Sequence, residues 1–116
     1  MTQVTIIHNP RCSKSRQTLA LLEENNCDIQ IVDYLKSPLV RSEIEGLLVK
    51  LDLTAREIIR TKETEYKEQG LGELNLTEEQ LIRAIVKTPK LLERPIVLAN
   101  DKAAIGRPPE NVLSIL

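Results

Sequence analysis

Phenylalanine and tryptophan are absent, and Tyr34 and Tyr66 are the only aromatic residues. A chain so poor in rings offers no platform on which successive bases of a single strand could stack. Its core must come from Leu, Ile, Val and Ala. No apolar run approaches the roughly 20 residues needed to span a bilayer. The first residues lack the charged start, long apolar stretch and cleavage site of a secretory signal. A cytoplasmic protein with no membrane association is the expectation. The formal charge of -1 speaks against general binding to nucleic acid or to an anionic membrane. Cys12 and Cys27 are too few for a disulfide framework, and in a reducing compartment both rest as thiols. The single histidine, His8, has no evident partners for a metal site. At 116 residues the chain is expected to form one domain, residues 1–116, with a proper hydrophobic core and no staples. A monomer is the simplest assembly.

What is present is concentrated near the start. His8-Asn9-Pro10-Arg11-Cys12-Ser13-Lys14-Ser15 follows the apolar run Val4-Thr5-Ile6-Ile7 and leads into a helical pattern through Leu19 and Leu22. A cysteine between a strand and a helix sits where unpaired backbone N–H groups point outward and the helix dipole favours negative charge. A thiol there ionises more readily, and the thiolate is the nucleophile. Residues 1–22 contain Arg11, Lys14 and Arg16 and no acidic residue. The same loop therefore suits an anion as well as a thiolate.

The remaining pattern predicts a strand over Val4 to His8, a helix from about Ser13 to Asn25, and a second strand over Asp28 to Tyr34. A strand, helix and strand joined by short connections predict a right-handed βαβ unit with parallel pairing. Ile44, Leu47, Leu48 and Leu51 recur at helical spacing within Val40 to Leu51. Thr54-Ala55-Arg56-Glu57 and Thr77-Glu78-Glu79-Gln80 both fit a capping box. The first opens a short helix ending near Arg60, and the second opens a helix through Ile85 and Val86. The charged stretch Lys62 to Glu73 reads as a solvated face. Two short strands, Pro95 to Leu98 and Ala103 to Ile105, flank Asn100-Asp101, residues that tolerate the positive backbone angles of a tight hairpin. Pro108-Pro109 opens a last helix through Val112, Leu113 and Leu116. The sum is an α/β, thioredoxin-like order, βαβ then ββα, with a helical insertion between strands two and three.

Cys12 is the candidate nucleophile. Ser15, three positions on, stands where a dithiol protein would carry its second cysteine. Its hydroxyl has two possible roles, a donor to the thiolate, or a helix cap or solvated first-turn serine. His8, four residues before Cys12, is expected to orient the loop. Cys27, just before strand two, reads as core. Arg60 closes the short capped helix, Arg94 precedes Pro95 at the mouth of strand three, and Arg107 precedes Pro108-Pro109. In a thioredoxin-like sheet the segment before the hairpin lies beside the active thiol, and its proline is commonly cis. A guanidinium fork binds two oxyanion oxygens at once, which an ammonium cannot match. Arginines facing a thiolate would lower its pKa and seat a tetrahedral oxyanion for attack.

His8-Asn9-Pro10-x-Cys12-x-x-Ser15-Arg16-x-Thr18-Leu19, Arg60, Arg94-Pro95-Ile96-Val97 and Arg107-Pro108 together resemble the glutaredoxin-coupled arsenate reductases, the ArsC family. The likeness runs over essentially the whole chain. It is nearest to the subgroup that reads Pro-Arg-Cys-Ser-Lys-Ser-Arg, with Ser13-Lys14 in place of the Gly-Thr of the best-known members. The resemblance implies that the Cys12 thiolate attacks arsenate held by Arg60, Arg94 and Arg107. Glutathione as co-substrate and glutaredoxin as partner then release arsenite, with no bound cofactor and no metal. Two other functions share the fold. Spx-type regulators bind RNA polymerase, but many carry a Cys-x-x-Cys switch that Ser15 removes here. Monothiol glutaredoxin-like proteins carry a small or β-branched residue where Arg94 stands, and a far shorter connection than residues 37–93.

Overall fold

A computed structural model describes all residues, 1–116. The chain divides into two compact units, one formed by Met1–Ser37 with Arg94–Leu116 and the other by Pro38–Glu93.

The first unit is a four-stranded sheet with order β2-β1-β3-β4, carrying one α-helix. Strand β1, Gln3–His8, lies inside the sheet and buries Val4, Ile6, Ile7 and His8. That explains why its sequence is an apolar run rather than a strict alternation. Helix α1, Ser13–Glu24, buries Ser15, Thr18 and Leu22, a stripe at spacings of three and four that faces inward. It returns the chain to β2, Asp28–Asp33, which pairs parallel to β1 from Gln3 opposite Asp28 to His8 opposite Asp33. Strand β3, Ile96–Ala99, runs antiparallel to β1, and β4, Lys102–Ile105, antiparallel to β3. Asn100 and Asp101 join them with φ of 53° and 62°, the paired positive angles that a two-residue hairpin of this twist requires. Val4, Ile6, Leu22, Cys27, Val97, Ala99, Val112 and Ile115 form the core. Cys27 is thus a packing residue, as its position predicts.

The last segment differs from expectation. Pro109–Ile115 is a 3-10 helix, and Leu113 points to solvent. Pro109, Val112 and Ile115 are the buried residues, spaced by three. That spacing matches a helix with three residues per turn, whereas Val112, Leu113 and Leu116 would face together only in an α-helix.

In the second unit α2, Arg41–Leu51, buries Ile44, Leu47 and Leu48. A 3-10 turn over Ala55–Ile58, helix α3 over Thr64–Glu68, α4 over Glu78–Lys87 and a 3-10 turn over Pro89–Leu91 follow. Both expected capping boxes form. Thr54 N–H donates to Glu57 Oε1 at 3.0 Å, and Thr77 N–H to Gln80 Oε1 at 2.8 Å. The first box opens a single 3-10 turn ending at Ile58, because Ile59 is extended and pairs with Leu92. Arg60 N–H donates to Leu91 O at 2.7 Å and Glu93 N–H to Ile58 O at 2.8 Å, which closes this unit on itself. The stretch from Thr61 to Leu76, the least regular in sequence, is tied down by Arg56, whose guanidinium donates to Leu71 O at 3.0 Å and Glu73 O at 2.8 Å. No helix is long and apolar enough to cross a membrane.

Candidate active site

Cys12 occupies the residue just before α1, with an extended backbone (φ −91°, ψ 124°). Its N–H donates to Asn9 O and its carbonyl accepts from Arg16 N–H, both at 3.0 Å. Asn9 Oδ1 accepts from Arg11 N–H at 3.0 Å, and Arg16 Nη1 donates to Pro10 O at 3.0 Å. The loop is therefore held by its own backbone and by the side chains of Asn9 and Arg16. The sulfur meets the backbone N–H groups of Lys14 and Ser15, two of the donors that a helix start leaves without intrahelical partners.

Two arginines from the far end of the chain complete the surroundings. Arg107 Nη2 donates to Cys12 Sγ at 3.5 Å, and the Arg94 guanidinium hydrogen-bonds the same sulfur. Arg107 Nε also donates to Arg94 O at 2.8 Å, which ties the two residues together. Both precede cis prolines, Pro95 and Pro108. Cys12 is 8% exposed, and burial by itself pushes a thiol pKa up. The Ser15 N–H, the Arg94 guanidinium and the Lys14 N–H outweigh burial, so the Cys12 thiol lies below its ordinary value.

The Ser15 hydroxyl is placed differently from the sequence reading. Ser15 is in the first turn of α1 but fully buried on its inner stripe, and its hydroxyl meets His8 rather than the sulfur or solvent. It lies 2.6 Å from His8 Nδ1 and accepts from Asn9 N–H at 3.1 Å, while its backbone N–H serves the sulfur. Burial lowers the His8 pKa; Asp33, opposite it in the sheet, works the other way, and Arg16 lowers it further. With His8 neutral and its proton on Nε2, the Ser15 hydroxyl donates to Nδ1. Through the Ser15 hydroxyl, His8 is tied to the first turn of α1. The Asn9 brace and the Arg107–Arg94 tie were not evident in sequence, since both depend on backbone carbonyls and amides that only the folded loop brings into range.

Arg60 belongs to the second unit. Its Nε meets Glu63 Oε1 at 3.1 Å and its Nη1 meets Glu93 Oε1 at 3.0 Å. The first unit brings Arg94 and Arg107 to Cys12; Arg60 is held by carboxylates.

A cysteine under two guanidinium groups on a thioredoxin-like sheet is the setting in which the chain's relatives become informative. A sequence model of the ArsC family matches residues 7–115. The chain belongs to the ArsC family. It is 51% identical over 117 residues to an arsenate reductase of Neisseria meningitidis serogroup A, covering 100% of both sequences. It is 55% identical over 115 residues to the Escherichia coli K12 protein YfgD, described as uncharacterized, covering 98% of this chain and 97% of that one. An arsenate reductase structure from Vibrio cholerae superposes with a TM-score of 0.96 at 46% identity, over 99% of this chain and 98% of that one. The thioredoxin-like α/β fold of this ArsC protein is that of its relatives.

Proposed function

We propose that this protein is an arsenate reductase in which Cys12 is the nucleophile and Arg94 and Arg107 bind the oxyanion. The observation that carries the proposal is the approach of Arg107 Nη2 to Cys12 Sγ at 3.5 Å, with Arg94 on the same sulfur. Arsenate drawn to these guanidinium groups is held beside the thiolate it must meet. The relatives called arsenate reductases, similar over their full length, support the same substrate.

The Cys12 thiolate attacks arsenic, a sulfur–arsenic bond forms, and one arsenic–oxygen bond breaks, its oxygen leaving as water after protonation. Glutathione then adds its thiol to the As(V) adduct with loss of a second oxygen as water. A glutaredoxin thiolate attacks the glutathione sulfur and leaves with it as a mixed disulfide. The two electrons from that sulfur pair reduce As(V) to As(III), and water releases arsenite and frees the Cys12 thiolate. A protein with no second cysteine in its loop must take its reducing thiols from outside.

Arg60 is the third oxyanion ligand of the proposal, and for it the support is the sequence pattern alone. Glu63 and Glu93 already neutralise its guanidinium. Arsenate would therefore compete with two carboxylates there, so Arg60→Ala is expected to lower kcat/KM less than Arg107→Ala does.

The test is arsenate-dependent NADPH loss with glutathione, glutaredoxin and glutathione reductase present, and with phosphate and sulfate as controls. Turnover with arsenate that disappears in Cys12→Ser is expected. No turnover of the intact protein, together with co-purification with RNA polymerase, would instead favour a regulator.

A further inference from the structure

Gly106 sits immediately before Arg107, at the end of β4, and its surroundings leave no room for a side chain. A Cβ placed there would lie 2.5 Å from Thr18 Oγ1, 3.1 Å from Thr18 Cγ2 and 2.8 Å from Pro95 Cγ. Thr18 is fully buried on the inner stripe of α1. Its hydroxyl donates to Lys14 O at 2.8 Å and also lies 3.5 Å from Gly106 O. Gly106 N–H donates to Pro95 O at 2.9 Å. These contacts clamp the Gly106-Arg107 segment on one side to the helix whose first turn serves the Cys12 sulfur. On the other side they clamp it to the proline that follows Arg94.

We infer that Gly106 is a positioning residue: its missing side chain lets the segment close against Thr18 and Pro95, and that closure sets the Arg107 guanidinium on Cys12 Sγ. The oxyanion role of Arg107 rests on the function proposed above, but the seating itself does not. A methyl group at Gly106 cannot be absorbed by Thr18, whose hydroxyl is held by Lys14 O on the buried face of α1, whereas Pro95 Cγ can give way by a change of ring pucker. The segment must move outward. Arg107 moves with it, because its backbone is the next residue.

Alkylation reads the seating directly. Negatively charged iodoacetate is drawn to a thiolate with a guanidinium beside it, whereas neutral iodoacetamide is not, so the ratio of the two rates at Cys12 reports the local positive charge. The ratio is measured on the full chain carrying Cys27→Ala, so that Cys12 is the only thiol. Gly106→Ala is expected to lower the ratio about tenfold, since a shift of about 1 Å in an aligned group has effects of this order or larger. In Thr18→Ala/Gly106→Ala, where the clashing side chain is removed, most of the ratio should return. If Gly106→Ala alone fails to fold, the double variant is compared with Thr18→Ala. A ratio at least half that of Thr18→Ala supports the inference, and one as low as an Arg107→Ala control overturns it. A wild-type ratio in a folded Gly106→Ala also overturns it. Failure of the intact protein to reduce arsenate, with the ratio still lowered by Gly106→Ala, would remove the proposed function and leave this inference standing.

Discussion

At Cys12 two effects oppose each other on one proton. Burial favours the thiol; the helix-start N–H groups and the Arg94 guanidinium favour the thiolate and win. The outcome depends on donors aimed at the sulfur rather than on net charge, so a substitution that keeps charge but loses the fork is informative. Arg94→Lys is expected to lower arsenate kcat/KM about tenfold or more with unchanged thermal unfolding, because lysine lacks the bidentate geometry. Equal kcat/KM would remove Arg94 from the oxyanion site. His8 gives a pH signature. Its folded pKa lies below the unfolded value of about 6.5, so the folded state binds fewer protons in the window between them. The resulting stability is present above about pH 6.5 and is lost as pH falls through the folded value. Thermal midpoints measured on the acid side of about pH 6.5 should therefore fall with pH, and less steeply in His8→Asn. Equal slopes would contradict a buried neutral imidazole. Cys12, Arg94 and Arg107 stood out in the sequence as candidates because each sits beside a strand end or a proline. The partner of the Ser15 hydroxyl was not legible. It depends on which face of α1 turns toward β1, and a three-residue spacing to the cysteine says nothing of that.

The helices and strands follow from local chemistry to different degrees. Both capping boxes formed where a threonine precedes Glu57 or Gln80 by three residues, since that pairing satisfies donors that would otherwise be lost. Thr77 Oγ1 accepts from Gln80 N–H at 3.1 Å, and α4 behind it buries Leu81, Ile82, Ala84 and Ile85. Thr77→Ala is expected to destabilise the protein by about 1 kcal/mol in urea unfolding. A change within error would mean that solvent replaces the cap at no loss. The hairpin at Asn100-Asp101 was equally readable, because few residues accept two positive φ angles in succession. The last helix was not. Val112, Leu113 and Leu116 suit an α-helix, and Pro109, Val112 and Ile115 suit a 3-10 helix. Only packing against the sheet decides between the two sets, and it buries the second.

For the molecule as a whole, the order of elements was enough to assign a thioredoxin-like sheet, since two parallel strands joined by a helix and a following antiparallel hairpin leave few arrangements. The interruption after β2 was visible as well, and residues Pro38–Glu93 form a compact unit of their own. The ion pairs that hold Arg60 were not foreseeable, because Glu93 becomes its neighbour only through the bridge between Ile59 and Leu92. With no Phe or Trp available, the first unit depends on aliphatic side chains such as Ile6, which is wholly buried. Ile6→Ala is expected to cost about 2–5 kcal/mol by urea unfolding, and a loss below about 1 kcal/mol would mean the core closes over the gap. What this fold achieves is to bring the two ends of the chain together around one sulfur. The most direct test is the ultraviolet thiolate absorbance followed against pH, taken as the difference between the intact protein and Cys12→Ser. A midpoint well below the roughly 8.5 of a free cysteine is predicted. A midpoint at or above that value would contradict an activated Cys12 and the chemistry built on it.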